Sequence, residues 1–160
     1  MAKSIRHLVL ILGDQLNLDS TALADFDSTQ DIIWMAEVME ESTHVASSKQ
    51  RSTLFLSAMR HFAETIKAKA WPLNYTQLSD ADNTGTLAGE LDKAIQKIRP
   101  QKLLMTAPGE WRVLQSLRAV AKKNDLTLDV RDDAHFFSTV RDFAEHAKGR
   151  KQLRQEFFYR

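Results

Sequence analysis

Gly13-Asp14-Gln15-Leu16 ends an almost unbroken apolar run that begins at Leu8. Glycine lets the backbone turn sharply and approach a ligand. Asp14 and Gln15 add hydrogen-bond acceptors and donors. The plainer reading is a strand-ending turn in which Asp14 caps the next segment. A second group, Glu37-Val38-Met39-Glu40-Glu41-Ser42, sets three carboxylates on an apolar ledge. Such a ledge suits a polyol, a ring N–H or a metal, or else simply supplies acids to the first turn of a helix. A metal would ask for more oxygen or imidazole ligands at defined spacing. Glycosidic chemistry needs two carboxylates facing one cleft, which the adjacent Glu40 and Glu41 are poorly placed to do.

Three further groups are weaker. Ser79–Gly85 reads as a turn into a helix cap. In Thr106–Arg112, Pro108 suits a first helical turn whose amides could meet an anion, and Trp111 could stack on a ring or pack in the core. Asp132, Asp133 and His135 are too few for a metal. No G-x-S-x-G elbow occurs, and none of Gly13, Gly85, Gly89, Gly109 and Gly149 builds a dinucleotide or P-loop fingerprint. The chain has no cysteine, so it carries no disulfide, thiolate nucleophile or Cys-held cluster.

These groups follow segments that read as buried strands: Leu8–Leu12, Ile32–Glu37, Leu73–Gln77, Lys102–Thr106 and Leu126–Val130. Helical stripes lie between them. Phe55, Ala58, Met59, Phe62, Ala63 and Ile66 share one face of a helix over about 49–70. Leu87, Leu91, Ala94 and Ile98 form a second stripe, and Val113, Leu117, Val120 and Ala121 a third. Val140, Phe143, Ala144 and Ala147 form a fourth, closed by Gly149. Only a short helix near 21–24 interrupts the first connection. The alternation predicts an α/β, three-layer Rossmann-like domain with a five-stranded parallel sheet flanked by helices. Ligands of such sheets bind beyond the carboxyl ends of the strands, where the first two groups fall.

At 160 residues and 43% apolar content, one globular domain is expected. No apolar run reaches the roughly 20 residues of a membrane span, and the start lacks a signal peptide's apolar region, so no membrane partner is expected and the cytoplasm is the natural compartment. Between Asp14 and Ser48 there is no Lys or Arg. That acidic stretch disfavours a polyphosphate or a DNA backbone at the first turn. The basic tail Lys148, Arg150, Lys151, Arg154 and Arg160, against Glu156, reads first as a solvated face and second as a surface for nucleic acid. Adjacent Phe157, Phe158 and Tyr159 need a surface, either the domain itself or chain beyond Arg160.

Taken in order, Leu8–Leu16, Glu37–Glu41, Ser57–Ala63, Asp80–Asn83, Pro108–Val113, Gly149–Leu153 and Glu156–Arg160 resemble the amino-terminal domain of bacterial iron–sulfur photolyases and cryptochromes, the deoxyribodipyrimidine photolyase-related proteins. The resemblance implies an antenna-chromophore-binding domain over 1–148. Residues 149–160 would begin a connector to a carboxyl-terminal helical domain absent from this chain. That domain would hold FAD and a 4Fe-4S cluster, and damaged DNA would be a partner of the full-length protein only. The parent would be a DNA photolyase, a lyase acting on pyrimidine photoproducts, or a signalling cryptochrome; this part alone would not be an enzyme. The antenna would be 6,7-dimethyl-8-ribityllumazine or another chromophore. By position its ring is expected near Gly13, Asp14, Gln15, Leu16, Val38 and Glu41, with Phe55 as an apolar wall and no catalytic or metal residue. A stand-alone nucleotide-binding module and a structural interaction domain are the competing readings.

Overall fold

A computed structural model describes residues 4–44 and 47–159. The five predicted strands form one parallel sheet: β1 (His7–Leu10), β2 (Ile32–Ala36), β3 (Leu73–Thr76), β4 (Lys102–Thr106) and β5 (Leu128–Arg131), in the order β3-β2-β1-β4-β5. The helices are α1 (Met39–Thr43), α2 (Lys49–Ala68), α3 (Leu87–Ile98), α4 (Trp111–Lys123), α5 (Val140–Ala147) and α6 (Gln155–Phe158), with a 3-10 turn at Thr21–Leu23. The three-layer Rossmann-like architecture is therefore present.

Alternation along the central strands divides the core. Leu8, Leu10, Trp34, Ala36, Leu103 and Met105 face α3 and α4. Val9, Ile11, Ile33, Met35 and Leu104 face α2 and the 3-10 turn. Both sets are buried because β1, β2 and β4 are interior strands covered on two faces. The outer strands differ from the expectation of full burial. All of β5 and most of β3 are only half-buried, since each is an edge with one neighbour.

Two buried carboxylates bracket β2. At its amino end Asp31 accepts from Arg6 Nε (2.9 Å) and Nη2 (2.6 Å), and from the backbone N–H groups of His7 (3.2 Å) and Asp27 (2.9 Å). At its carboxyl end Glu37 accepts from Arg60 Nε (2.8 Å) and Nη2 (2.9 Å), the Leu78 N–H (2.8 Å) and the Tyr75 hydroxyl.

Helix α2 is longer than the sheet is tall. Its 20 residues span about 30 Å at 1.5 Å per residue, against roughly 13–17 Å for strands of four or five residues. A right-handed crossover starts at the carboxyl edge of the sheet, so the overhang falls there. Met59, Phe62, Ala63 and Ile66 pack on the sheet, whereas Phe55 and Ala58, expected on the same buried stripe, stand above it and are exposed. Near the end of the described chain, Phe158 packs edge-on against Phe143 of α5 (ring centroids 5.2 Å), while Phe157 and Tyr159 stay exposed. Among the described residues no helix is long and apolar enough to cross a membrane.

Candidate functional site

Carboxyl ends of β1 and β2 and the amino ends of α2, α3 and α4 enclose a cavity of about 400 Å³. That size lies within the range of small-molecule sites, roughly 300–1,000 Å³. One wall comes from α2 through Phe55, Leu56 and Met59. The opposite wall comes from Leu87 at the start of α3 and Val113 in the first turn of α4. Leu12, Trp34, Ala36 and Val38 come from the strand ends between them. Ser48 caps α2 by accepting from the Arg51 N–H (3.2 Å), and Thr86 caps α3 by accepting from the Gly89 N–H (3.0 Å). These caps anchor helix starts that border the cavity.

Of the residues expected at the site, Gly13, Asp14, Val38, Glu41 and Phe55 line the cavity together. Gly13 is required by close approach. A Cβ there would lie 2.4 Å from Phe55 Cζ and 2.9 Å from Met59 Sδ, so the bare backbone lets both side chains lean over the turn. Gln15 and Leu16 lie elsewhere. The buried Gln15 amide donates to the carbonyls of Thr106 (3.4 Å) and Ala107 (2.9 Å), tying the β1 turn to the end of β4. Leu16 packs against the core on the α2 face. Trp111 is 69% exposed and does not line the cavity, although it starts α4 beside it.

The carboxylates of the acidic ledge have different fates. Burial pushes the Glu37 carboxyl up, but Arg60, the Leu78 N–H and Tyr75 outweigh it and hold the group below its ordinary range. Its bonding capacity is used within the scaffold. Glu40 and Glu41 fall in the first turn of α1 and meet Arg112, whose Nη1 reaches Glu40 Oε1 (3.2 Å) and whose Nη2 reaches Glu41 Oε1 (2.9 Å). Arg112 also donates from Nε to Glu110 Oε1 (2.8 Å), which lowers the Glu110 carboxyl and raises the guanidinium. Glu41 Oε2 accepts no hydrogen bond among the described residues. The rim is therefore acidic but not purely so: Glu41 and Glu110 line it, and with Glu40 beside it they surround one guanidinium.

Sequence patterning gave Arg112 no role of its own within the Thr106–Arg112 group and missed Arg51; both are in the cavity wall. The acidity of the first third concealed them, because α2 and α4 bring these cations from outside that stretch. A usable signal existed: helices of right-handed crossovers start at the ligand-binding edge, so residues in the first turn of α2 and α4 must border it. Two buried polar atoms near this edge have no hydrogen-bond partner among the described residues, Trp34 Nε1 and Gln15 Oε1. The same residues include no group of three or more His, Asp or Glu arranged to hold a metal. His135 pairs with Asp133 (2.7 Å) and Asn17 (2.8 Å) near the end of β5, outside the cavity.

The chain is 42% identical over 154 residues, 96% of its length, to a protein named (6-4) photolyase from Agrobacterium fabrum. It spans 30% of that relative's length. The family described as deoxyribodipyrimidine photo-lyase-related protein matches residues 9–160, a stretch that takes in the β1 turn, the acidic ledge and the first turn of α4, and the chain belongs to that family.

Proposed function

We propose that this chain is the antenna module of a photolyase-related flavoprotein and that its cavity binds 6,7-dimethyl-8-ribityllumazine. The observation that carries the reading is the cavity at the strand ends, with facing apolar walls and an incompletely paired carboxylate on its rim. Phe55 and Met59 on one side, and Leu87 and Val113 on the other, suit a flat ring. Asp14, Glu41, Ser42 and Ser52 suit the hydroxyls of a sugar-alcohol tail. When bound, the chromophore would absorb light and pass excitation to FAD in a separate helical domain. This chain's own residues would hold and orient it: Phe55 excludes water from one face, and Glu41, steadied by Arg112, accepts a hydrogen bond from the ribityl chain or a ring N–H. For the whole protein we propose light-driven repair of pyrimidine (6-4) photoproducts in DNA, with FAD and a 4Fe-4S cluster held outside this chain. The name of the relative supports that reading.

Fluorescence titration with the lumazine, with ATP and FAD in parallel, tests it. Saturable lumazine binding that weakens roughly ten-fold in Glu41→Ala is the expected result. Tight ATP binding without lumazine binding overturns the antenna reading in favour of a nucleotide module, which Arg51 in the cavity wall would then serve. Unchanged lumazine affinity in Glu41→Ala removes Glu41 from the contact set.

A further inference from the structure

Trp34 is the largest of the fully buried side chains, in the middle of β2 on the face covered by α3 and α4. Its backbone is committed to the sheet: its carbonyl accepts from the Ile11 N–H (3.0 Å), and it is in register with Leu10 and Asn74. Its indole N–H has no acceptor among the described residues. Buried donors are nearly always paired, because an unpaired one forfeits its hydration without return. The indole can only donate, so no proton rearrangement within Trp34 relieves it. Packing accounts for the buried ring; the N–H is the part of this residue that packing leaves unexplained.

Trp34 also lines the cavity at the strand ends. The other buried atoms without a hydrogen bond, Gln15 Oε1 and Glu90 Oε2, belong to residues that do not line it, and Glu90 Oε2 has Lys93 Nζ at 3.0 Å. Among the residues that carry these atoms, only Trp34 also lines the ligand-sized space.

We infer that the Trp34 indole N–H is a ligand-binding donor that selects planar heterocycles bearing a carbonyl oxygen or an unprotonated ring nitrogen at the edge deepest in the cavity. The inference rests on the antenna reading and adds to it a recognition element on β2, on the opposite side of the sheet from Phe55. The acidic rim would take the hydroxylated tail, while Trp34 would meet the ring. Ligands offering only donors or apolar edges at that position would leave the N–H unpaired and bind weakly.

The test uses the chain labelled with nitrogen-15, whose indole groups Trp34, Trp71 and Trp111 give separate N–H resonances. These are assigned through bonds, so the assignment does not depend on a variant folding. On titration with 6,7-dimethyl-8-ribityllumazine, the Trp34 resonance is expected to move to lower field, as a hydrogen-bonded N–H does. Trp71, which packs on Phe26 away from the cavity, is expected to stay still. Trp34→Phe keeps an aromatic ring without the donor and is expected to weaken lumazine binding roughly ten-fold. Saturable binding with a stationary Trp34 resonance and a less than two-fold loss in Trp34→Phe would overturn the inference while leaving the antenna reading intact. Failure of the wild-type chain to bind lumazine would overturn both, and the absence of any saturation tells the two failures apart.

Discussion

The two ends of β2 carry the same device with different surroundings. Asp31 and Glu37 are both buried carboxylates, each gripped by an arginine through two nitrogens, with two backbone N–H groups on Asp31 and one on Glu37. At the amino end the arrangement fixes only structure: Arg6 and Asp31 bind β2 to the residue before β1 and to the preceding turn. At the carboxyl end Arg60 and Glu37 hold α2 against the sheet, and the chain that leaves Glu37 becomes the rim of the cavity. Both buried carboxylates are therefore scaffold. The incompletely paired groups among the described residues that line the cavity lie on either side of Glu37 in the chain, at Glu41 and at Trp34.

Four experiments can break or sharpen that comparison. The largest effect is expected at the amino end. Asp31→Ala strands the Arg6 guanidinium and two backbone donors and should cost about 3 kcal/mol in urea unfolding, with lumazine affinity of the folded protein unchanged. A matching loss of affinity would mean that the two ends are not separable. Glu37→Gln comes next, at about 2 kcal/mol, because Arg60 is half exposed and can turn to water. Here affinity should fall as well, since α2, whose Phe55 and Met59 wall the cavity, loses its anchor to the end of β2.

Acid should weaken both ends together. The Asp31 and Glu37 carboxyls are both held below their unfolded values, burial opposing and the arginine and N–H bonds prevailing. Stability from each is complete above those values, near pH 4–4.5, and is lost as pH falls through the lower folded ones. Thermal scans from pH 6 to 3 should show the melting temperature falling at the acid end, with a shallower fall in Glu37→Gln. An acid limb unchanged by that substitution would remove Glu37 from this account. Gly13→Ala should give the smallest stability change, about 1 kcal/mol, because its closest contacts are to the end of the Phe55 ring, which can swing outward, while the buried Met59 thioether must give by a few tenths of an ångström. Its signature would be weaker lumazine binding with near-normal folding. Equal binding would show that the Phe55 ring need not lean over the turn.

Much of the fold was legible because it rests on periodicity. Continuous apolar runs marked β1, β2 and β4, and stripes at 3.6-residue spacing marked α2, α3 and α4, since burial on two faces or on one leaves a direct trace in residue order. Half-burial of β3 and β5 was not legible; an apolar run does not say how many neighbours a strand has. The site was legible in part for the same reason. Gly13, Asp14, Val38 and Glu41 follow strand ends, which alternation alone locates, and Phe55 follows from the stripe on α2. Gln15 was misleading because its neighbours in sequence say nothing of the Thr106 and Ala107 carbonyls 91 and 92 residues away that claim its amide.

By itself, then, the sequence determined a parallel three-layer domain, the edge where a ligand would bind, the lack of cysteine chemistry and the run of segments that carries the family. Tertiary structure alone decided the state of each polar group. It spent Glu37 on Arg60, shared Glu40, Glu41 and Glu110 around Arg112, brought Arg51 into the wall and left the Trp34 N–H without a partner among the described residues. The physical reason is that periodicity records what a residue must hide from water, a local property of the chain. Hydrogen-bond partnership depends on which distant groups arrive beside it, and that is settled only when the crossovers close.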